Sequence, residues 1–218
     1  MATAMLLLVH GRSGGVVPDE LWHLAQPLAV RRQAPVLVHP LTAGLPNQLL
    51  DGAGMALDSE LPLTLAPLML LPGAHVRSDL PRIVQQLRAI RPDSQLRRLP
   101  FVGAWPQWIA ALRAEAQALG LSDEGSPEPP VLLHHPLEGP LAQRYLGTLA
   151  ARSGFCCRPT PYSAEHLAEL RLTLHAPALP LALAANRLTD ELMAVVGAPL
   201  LQRPRFRDCL LQVLEAQP

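Results

Sequence analysis

The run Val131-Leu132-Leu133-His134-His135 reproduces Leu6-Leu7-Leu8-Val9-His10 at a constant offset of 125 residues. Each is a short apolar stretch that ends at a histidine, as a buried strand does when it emerges at the edge of a parallel sheet. A chain that carries this unit twice is constrained to fold as two related halves. The segments between point the same way. Met5 to Val9 leads through His10-Gly11-Arg12-Ser13-Gly14-Gly15 into a helical pattern from Pro18 to Arg32, and Pro35 to His39 gives a second strand. A helix between Pro46 and Leu57 and a third strand in Leu61 to Leu71 follow. Leu80, Ile83, Val84, Leu87 and Ile90 then mark one helical face, with Ser78 as N-cap and Pro81 tolerated in the first turn. Gln95 to Val102 supplies a fourth strand. Trp105, Trp108, Ile109, Leu112, Ala116 and Leu119 form a helical stripe that Gly120 is suited to end.

Residues 121–130 are polar and proline-rich, the composition of a linker. The expected division is therefore a first α/β domain over 1–120, the linker, and a second, degenerate repeat over 131–218. Within the second, helices are expected near Leu141 to Arg152, Ala164 to Leu170, Leu188 to Val196 and Arg205 to Leu214, with a strand in Leu179 to Ala185. Alternating strands and helices imply two α/β subdomains, each a central, mostly parallel sheet flanked by helices, with sites at the strand carboxyl ends.

Composition narrows the function. With 49% hydrophobic and 17% charged residues, the chain has the apolar surface a disordered segment lacks. Its formal net charge of zero gives no electrostatic footprint for nucleic acid or an anionic membrane. All 18 basic residues are arginine. Three cysteines, Cys156, Cys157 and Cys209, form neither a C-x-x-C pair nor an even set, so neither a disulfide framework nor a zinc ribbon is indicated, and a reducing cytoplasm fits best. The longest apolar stretch, Leu61 to Ala74, is too short to span a bilayer and is broken by three prolines; the opening nine residues lack the basic region of a signal peptide.

Two histidines stand where a fold of this kind places its ligands. His10 follows the first strand and His75 the third, so their loops converge if those strands flank the point where strand order reverses. Neutral imidazole binds divalent late transition metals well, and two imidazoles leave coordination positions open for exchange. Such a pair suits metal transfer better than a structural role.

The segment Pro67-Leu68-Met69-Leu70-Leu71-Pro72-Gly73-Ala74-His75-Val76-Arg77-Ser78-Asp79-Leu80-Pro81 resembles the metal-site segment P-L-F-L-x-x-G-G-H-V-x-x-D-I-P of the sirohydrochlorin chelatases of the CbiX/SirB type. Val9-His10-Gly11-Arg12-Ser13 is similar to that family's G-H-G-S-R, with the first glycine replaced and Ser and Arg in reverse order. The resemblance covers residues 4 to 119. It implies a chelatase-like fold and a lyase that inserts a divalent metal, Co²⁺, Fe²⁺ or Ni²⁺, into sirohydrochlorin or a related tetrapyrrole, with no nucleotide cofactor. His10 and His75 would be the metal-holding and catalytic residues. Arg12, Ser13, Arg77 and His135 would bind the substrate, whose carboxylates call for cations and backbone N–H donors. The acidic residue the family carries after its second strand has no counterpart in His39-Pro40-Leu41-Thr42, and His75 has none in Asn186-Arg187-Leu188. One metal site per chain is expected, with His134 and Glu138 near the repeated strand end.

Other readings share these residues. Gly11-Arg12-Ser13-Gly14-Gly15 satisfies G-x-S-x-G, the nucleophile elbow of α/β-hydrolases, although only one strand precedes it where that fold needs several. The R-H-G of histidine phosphatases is not met, because Val9 stands where their arginine would be. A relative that binds metal or tetrapyrrole without turnover is the third alternative.

Overall fold

A computed structural model describes residues 3–46, 49, 57, 58, 60–122 and 128–218. It contains two parallel sheets, one of four strands and one of three. The first strand, β1 (Ala4–Val9), is buried at every position, which explains its uninterrupted apolar sequence. It pairs in parallel with β2 (Val36–Pro40) on one side and β3 (Leu63–Pro67) on the other, and β4 (Leu96–Arg98) adds to β3. The order β2-β1-β3-β4 puts the reversal of strand order between β1 and β3.

Between β1 and β2 lies α1 (Asp19–Arg32), which buries Leu21, Leu24, Ala25, Leu28 and Arg32 along one face. Acidic residues in its first turn and arginines in its last complement the helix dipole, and Gln33 ends it in a left-handed conformation at φ 50°. After β3, α2 (Leu80–Ile90) buries Leu80, Ile83 and Leu87. Ser78 is not its cap. The backbone is already helical at Ala74, and a π-helical turn over His75–Asp79 runs directly into α2. Pro81 has no N–H to donate, and its ring would crowd the carbonyl four residues back in a regular α-helix; the wider turn ahead of it opens that space. The helix expected between Pro46 and Leu57 falls largely outside the described residues.

The second sheet has the order β6-β5-β7, built from β5 (Val131–His134), β6 (Cys156–Pro159) and β7 (Ala178–Pro180), again all parallel. Around it lie α3 (Pro106–Ser122), α4 (Pro140–Ser153), α5 (Ala164–Thr173) and α6 (Arg187–Val196). The last helix is α7 (Pro204–Glu215). β6 is an addition to the expected elements. Gly120 does not end α3, which continues to Ser122, and Trp105 precedes that helix, donating its indole N–H to the Pro100 carbonyl.

The compact units are Met1–Trp105 with Leu210–Pro218, and Pro106–Cys209. This differs from a division at 120–130 for two physical reasons. Trp108 of α3 is fully buried and its ring lies 5.1 Å from that of Phe206, so the α3 stripe belongs to the second core. The buried Arg32 guanidinium donates to the carbonyls of Leu214, Gln217, Pro218 and Thr3, which ties the end of α7 to the first unit. Residues 123–127 of the expected linker lie outside the described residues.

Candidate metal centre

The first unit carries His10 immediately after β1 and His75 at the start of the π turn after β3. These two strands are the neighbours that flank the reversal of strand order, so the two loops rise side by side. The imidazole centroids are 4.6 Å apart, with the rings at 81° to one another. Gly11 sets the close approach of the first loop: a Cβ there would stand 2.7 Å from Pro40 Cβ and 2.8 Å from Thr42 Oγ1. Gly14 and Gly15 both have φ near +80°, at 79° and 78°, which turns the chain sharply away from His10 toward α1.

Asp79 completes the geometry and was not singled out from sequence. Its Oδ2 lies 2.7 Å from His75 Nδ1, and its Oδ1 accepts from Arg82 Nη2 at 3.2 Å. A carboxylate only accepts, so Nδ1 carries a proton and Nε2 presents its lone pair when the ring is neutral. The hydrogen bond from His75, followed in weight by those of Arg82 and the charges of both, holds the Asp79 carboxyl below the usual carboxylate range, against some opposing burial. The signal was present as a histidine and an aspartate four residues apart on a helical turn. His75 and Asp79 are each about one-third exposed or less, at 35% and 28%, so the site is open to a solute. Among the described residues no group of three or more His, Cys, Asp or Glu side chains is arranged to hold a metal ion.

The structure brings His10 and His75 together and leaves Arg12 and Arg77 exposed on the same two loops, each two residues beyond a histidine. Ser13 opens the 3₁₀ turn Ser13–Gly15, and its side chain lies outside the described ones. The two sheets of four and three strands are not the single continuous sheet of an α/β-hydrolase. His39, on β2, is buried, and desolvation holds its pKa below the ordinary histidine value despite a hydrogen bond to the Ala43 backbone.

In the second unit His135 is exposed after β5, its Nδ1 3.0 Å from the Pro136 carbonyl and its ring 5.2 Å from that of Tyr162. The equivalence to His10 is carried by the backbone. Leu68 and Leu41 donate to the carbonyls of Leu8 and Val9, and Leu181 and Thr160 donate in the same way to Leu133 and His134. Seven residues beyond Leu68 stands His75; seven beyond Leu181 stands Leu188, fully buried in the second core. Glu138 is exposed, whereas His134 is buried with its Nδ1 on the His135 carbonyl. No helix among the described residues is long and apolar enough to cross a membrane.

No family model matches the chain, and no curated protein sequence does. Solved structures do. SirB from Bacillus subtilis with Fe³⁺ superposes with a TM-score of 0.61 at 16% identity, covering 99% of this chain and 96% of that one. CbiX, described as the terminal enzyme for biosynthesis of sirohaem in denitrifying bacteria, gives 0.59 at 23% identity with 99% of each chain covered. A multi-domain protein from Deinococcus radiodurans with structural similarity to chelatases gives 0.58 at 19% identity, with 55% of its length covered. The fold of this chain is the one seen in the CbiX and SirB sirohydrochlorin chelatases.

Proposed function

We propose that the chain is a chelatase that inserts a divalent metal into sirohydrochlorin or a related tetrapyrrole. The single observation that carries this reading is the His10–His75 pair, 4.6 Å apart at the switch point of the first sheet. Metal insertion needs a site that holds M²⁺ loosely, and a route for the two pyrrole N–H protons released as M²⁺ enters the ring. Two imidazoles hold a late divalent ion at about 2.0–2.1 Å from nitrogen for a zinc-like ion and leave its remaining positions to water or pyrrole nitrogen. As the metal passes to the macrocycle, an imidazole freed of it accepts one pyrrole proton and solvent takes the other.

Arg12 and Arg77, exposed on the histidine-bearing loops, would meet substrate carboxylates, with Ser13 as a further donor. His135 is assigned to substrate contact from the second unit. Cobalt, iron and nickel all suit the donor set; SirB has been seen with Fe³⁺ and with cobalt. Cobalt would place the reaction in cobalamin synthesis and iron in sirohaem synthesis. Three free cysteines suit a cytoplasmic setting.

Anaerobic mixing of the protein with sirohydrochlorin and Co²⁺ tests this proposal. A chelatase gives the absorption change of metal insertion faster than the uncatalysed reaction. Binding without acceleration would identify a non-catalytic relative, a reading favoured by the lack of any carboxylate in His39-Pro40-Leu41-Thr42 at the end of β2. Neither binding nor insertion would reject both.

A further inference from the structure

We propose that Asp79 is a positioning residue that locks the His75 imidazole in the tautomer protonated on Nδ1, so that Nε2 is the nitrogen offered to the metal. This deepens the chelatase reading and rests on it for the nature of the ligand, but the tautomer is a property of the metal-free protein. Which nitrogen of an imidazole can ligate is decided by the hydrogen bond that the other one makes. Here that bond is the 2.7 Å contact from Nδ1–H to Asp79 Oδ2. Without it, the proton is free to sit on Nε2, where it blocks coordination.

Asp79 is itself held from both sides. Arg82 Nη2 donates to Oδ1 at 3.2 Å, so the two carboxylate oxygens are divided between a guanidinium and an imidazole. His75 and Asp79 share the widened turn, in which the Leu80 N–H closes on the His75 carbonyl five residues back, and Arg82 follows at the start of α2. That backbone fixes the ring plane as well as the tautomer, and His75 stands edge-to-face against His10 at 81°. A carboxylate that merely braced the start of α2 would stabilise the helix but would not need to choose a tautomer.

The test is ¹⁵N NMR of the metal-free protein, with long-range correlations that assign the proton on each His75 nitrogen, followed by titration with Co²⁺ alone and its visible absorption bands. Wild type is expected to show the Nδ1–H form near neutral pH. Asp79→Ala should lose that preference and bind Co²⁺ about 10–100-fold more weakly, the usual cost of removing a histidine's outer partner. Asp79→Glu should restore both readouts in large part, and Asp79→Asn, which keeps an acceptor without the charge, should fall between. An Nε2–H tautomer in wild type, or an Asp79→Ala protein with unchanged tautomer and Co²⁺ affinity, would overturn the proposal. If Asp79→Ala does not fold, the wild-type spectrum and the Asn variant decide it. A locked tautomer in a protein that takes up no Co²⁺ would leave the positioning role standing and remove the metal reading.

Discussion

Gly11 links local packing to the proposed metal centre, because it stands next to His10 and against Pro40. A methyl group there would meet Pro40 Cβ at 2.7 Å, and proline cannot swing aside as a flexible side chain would. Gly11→Ala is expected to cost about 1–3 kcal/mol through overpacking, read as a lower urea midpoint. It should also weaken Co²⁺ binding, because the residue pushed off Pro40 is the neighbour of His10. Buried histidines set a pH limit of a different kind. Desolvation lowers the pKa of His39 and of His134, whose Nε2 is buried with no hydrogen-bond partner. In the unfolded chain both titrate near the ordinary value of about 6.5. Above that pH the two states bind equal numbers of protons at these sites. As pH falls below it, the unfolded chain takes up protons that the folded one refuses, and stability declines until the depressed folded values are reached. Denaturation midpoints at pH 7.5 and 5.5 should therefore differ, with the gap narrowed in His134→Leu. Equal midpoints in wild type would show that neither burial is felt. The arginines complete this scale. Arg32 divides two nitrogens among four carbonyls, and Arg91 Nη2 donates to Asp58 and Leu61, arrangements that need a planar fork and not an ammonium.

Helix α6 shows how the second unit uses the residues that follow its third strand. Asn186 accepts from the Thr189 N–H while the Thr189 hydroxyl accepts from the Asn186 N–H, a reciprocal cap. Asn186→Ala should lower stability by about 1 kcal/mol in urea denaturation while leaving Co²⁺ binding intact; a loss of metal binding would place this turn in the site. The corresponding turn of the first unit has no side-chain cap and carries His75 instead. Such contrasts explain what was legible beforehand. β1 and β5 were readable because both faces of a central strand are buried, and α2 because one apolar face repeats with helical period. β6 was not, because an edge strand reading Cys-Cys-Arg-Pro is only partly covered and carries no apolar alternation. The Ser78 cap and the Gly120 stop rested on a local preference worth only about 1 kcal/mol, and the helical backbone begins before Ser78 and continues past Gly120. The pair His10 and His75 could be read from strand order. Asp79 could not be weighed until the π turn placed its carboxylate against Nδ1, because spacing alone does not say which way a side chain turns.

At the scale of the molecule, two units share a backbone plan and differ in what stands at the strand ends. The paired hydrogen bonds that anchor the residues after β2 and β3 to β1 recur after β6 and β7 on β5, so His10 and His135 occupy equivalent places. The partner of His10 is a histidine about one-third exposed; the residue at the matching place opposite His135 is Leu188, with no exposed surface. A buried leucine cannot ligate, and a second bis-imidazole site cannot form there. Under the proposed chelatase reading a division of labour follows, in which the first unit would hold the metal and the second would contribute substrate contacts. His75→Ala should abolish Co²⁺ binding and insertion while leaving tetrapyrrole affinity largely intact, because the macrocycle is held by apolar area and carboxylate contacts and the metal by imidazole. His135→Ala should keep Co²⁺ affinity at the wild-type level and lower insertion only in proportion to weaker tetrapyrrole binding. The two effects separate in a titration with Co²⁺ alone and a second with metal-free tetrapyrrole. If His135→Ala loses Co²⁺ as completely as His75→Ala does, the metal is shared across the repeat, and the buried leucine is no guide to which unit binds it.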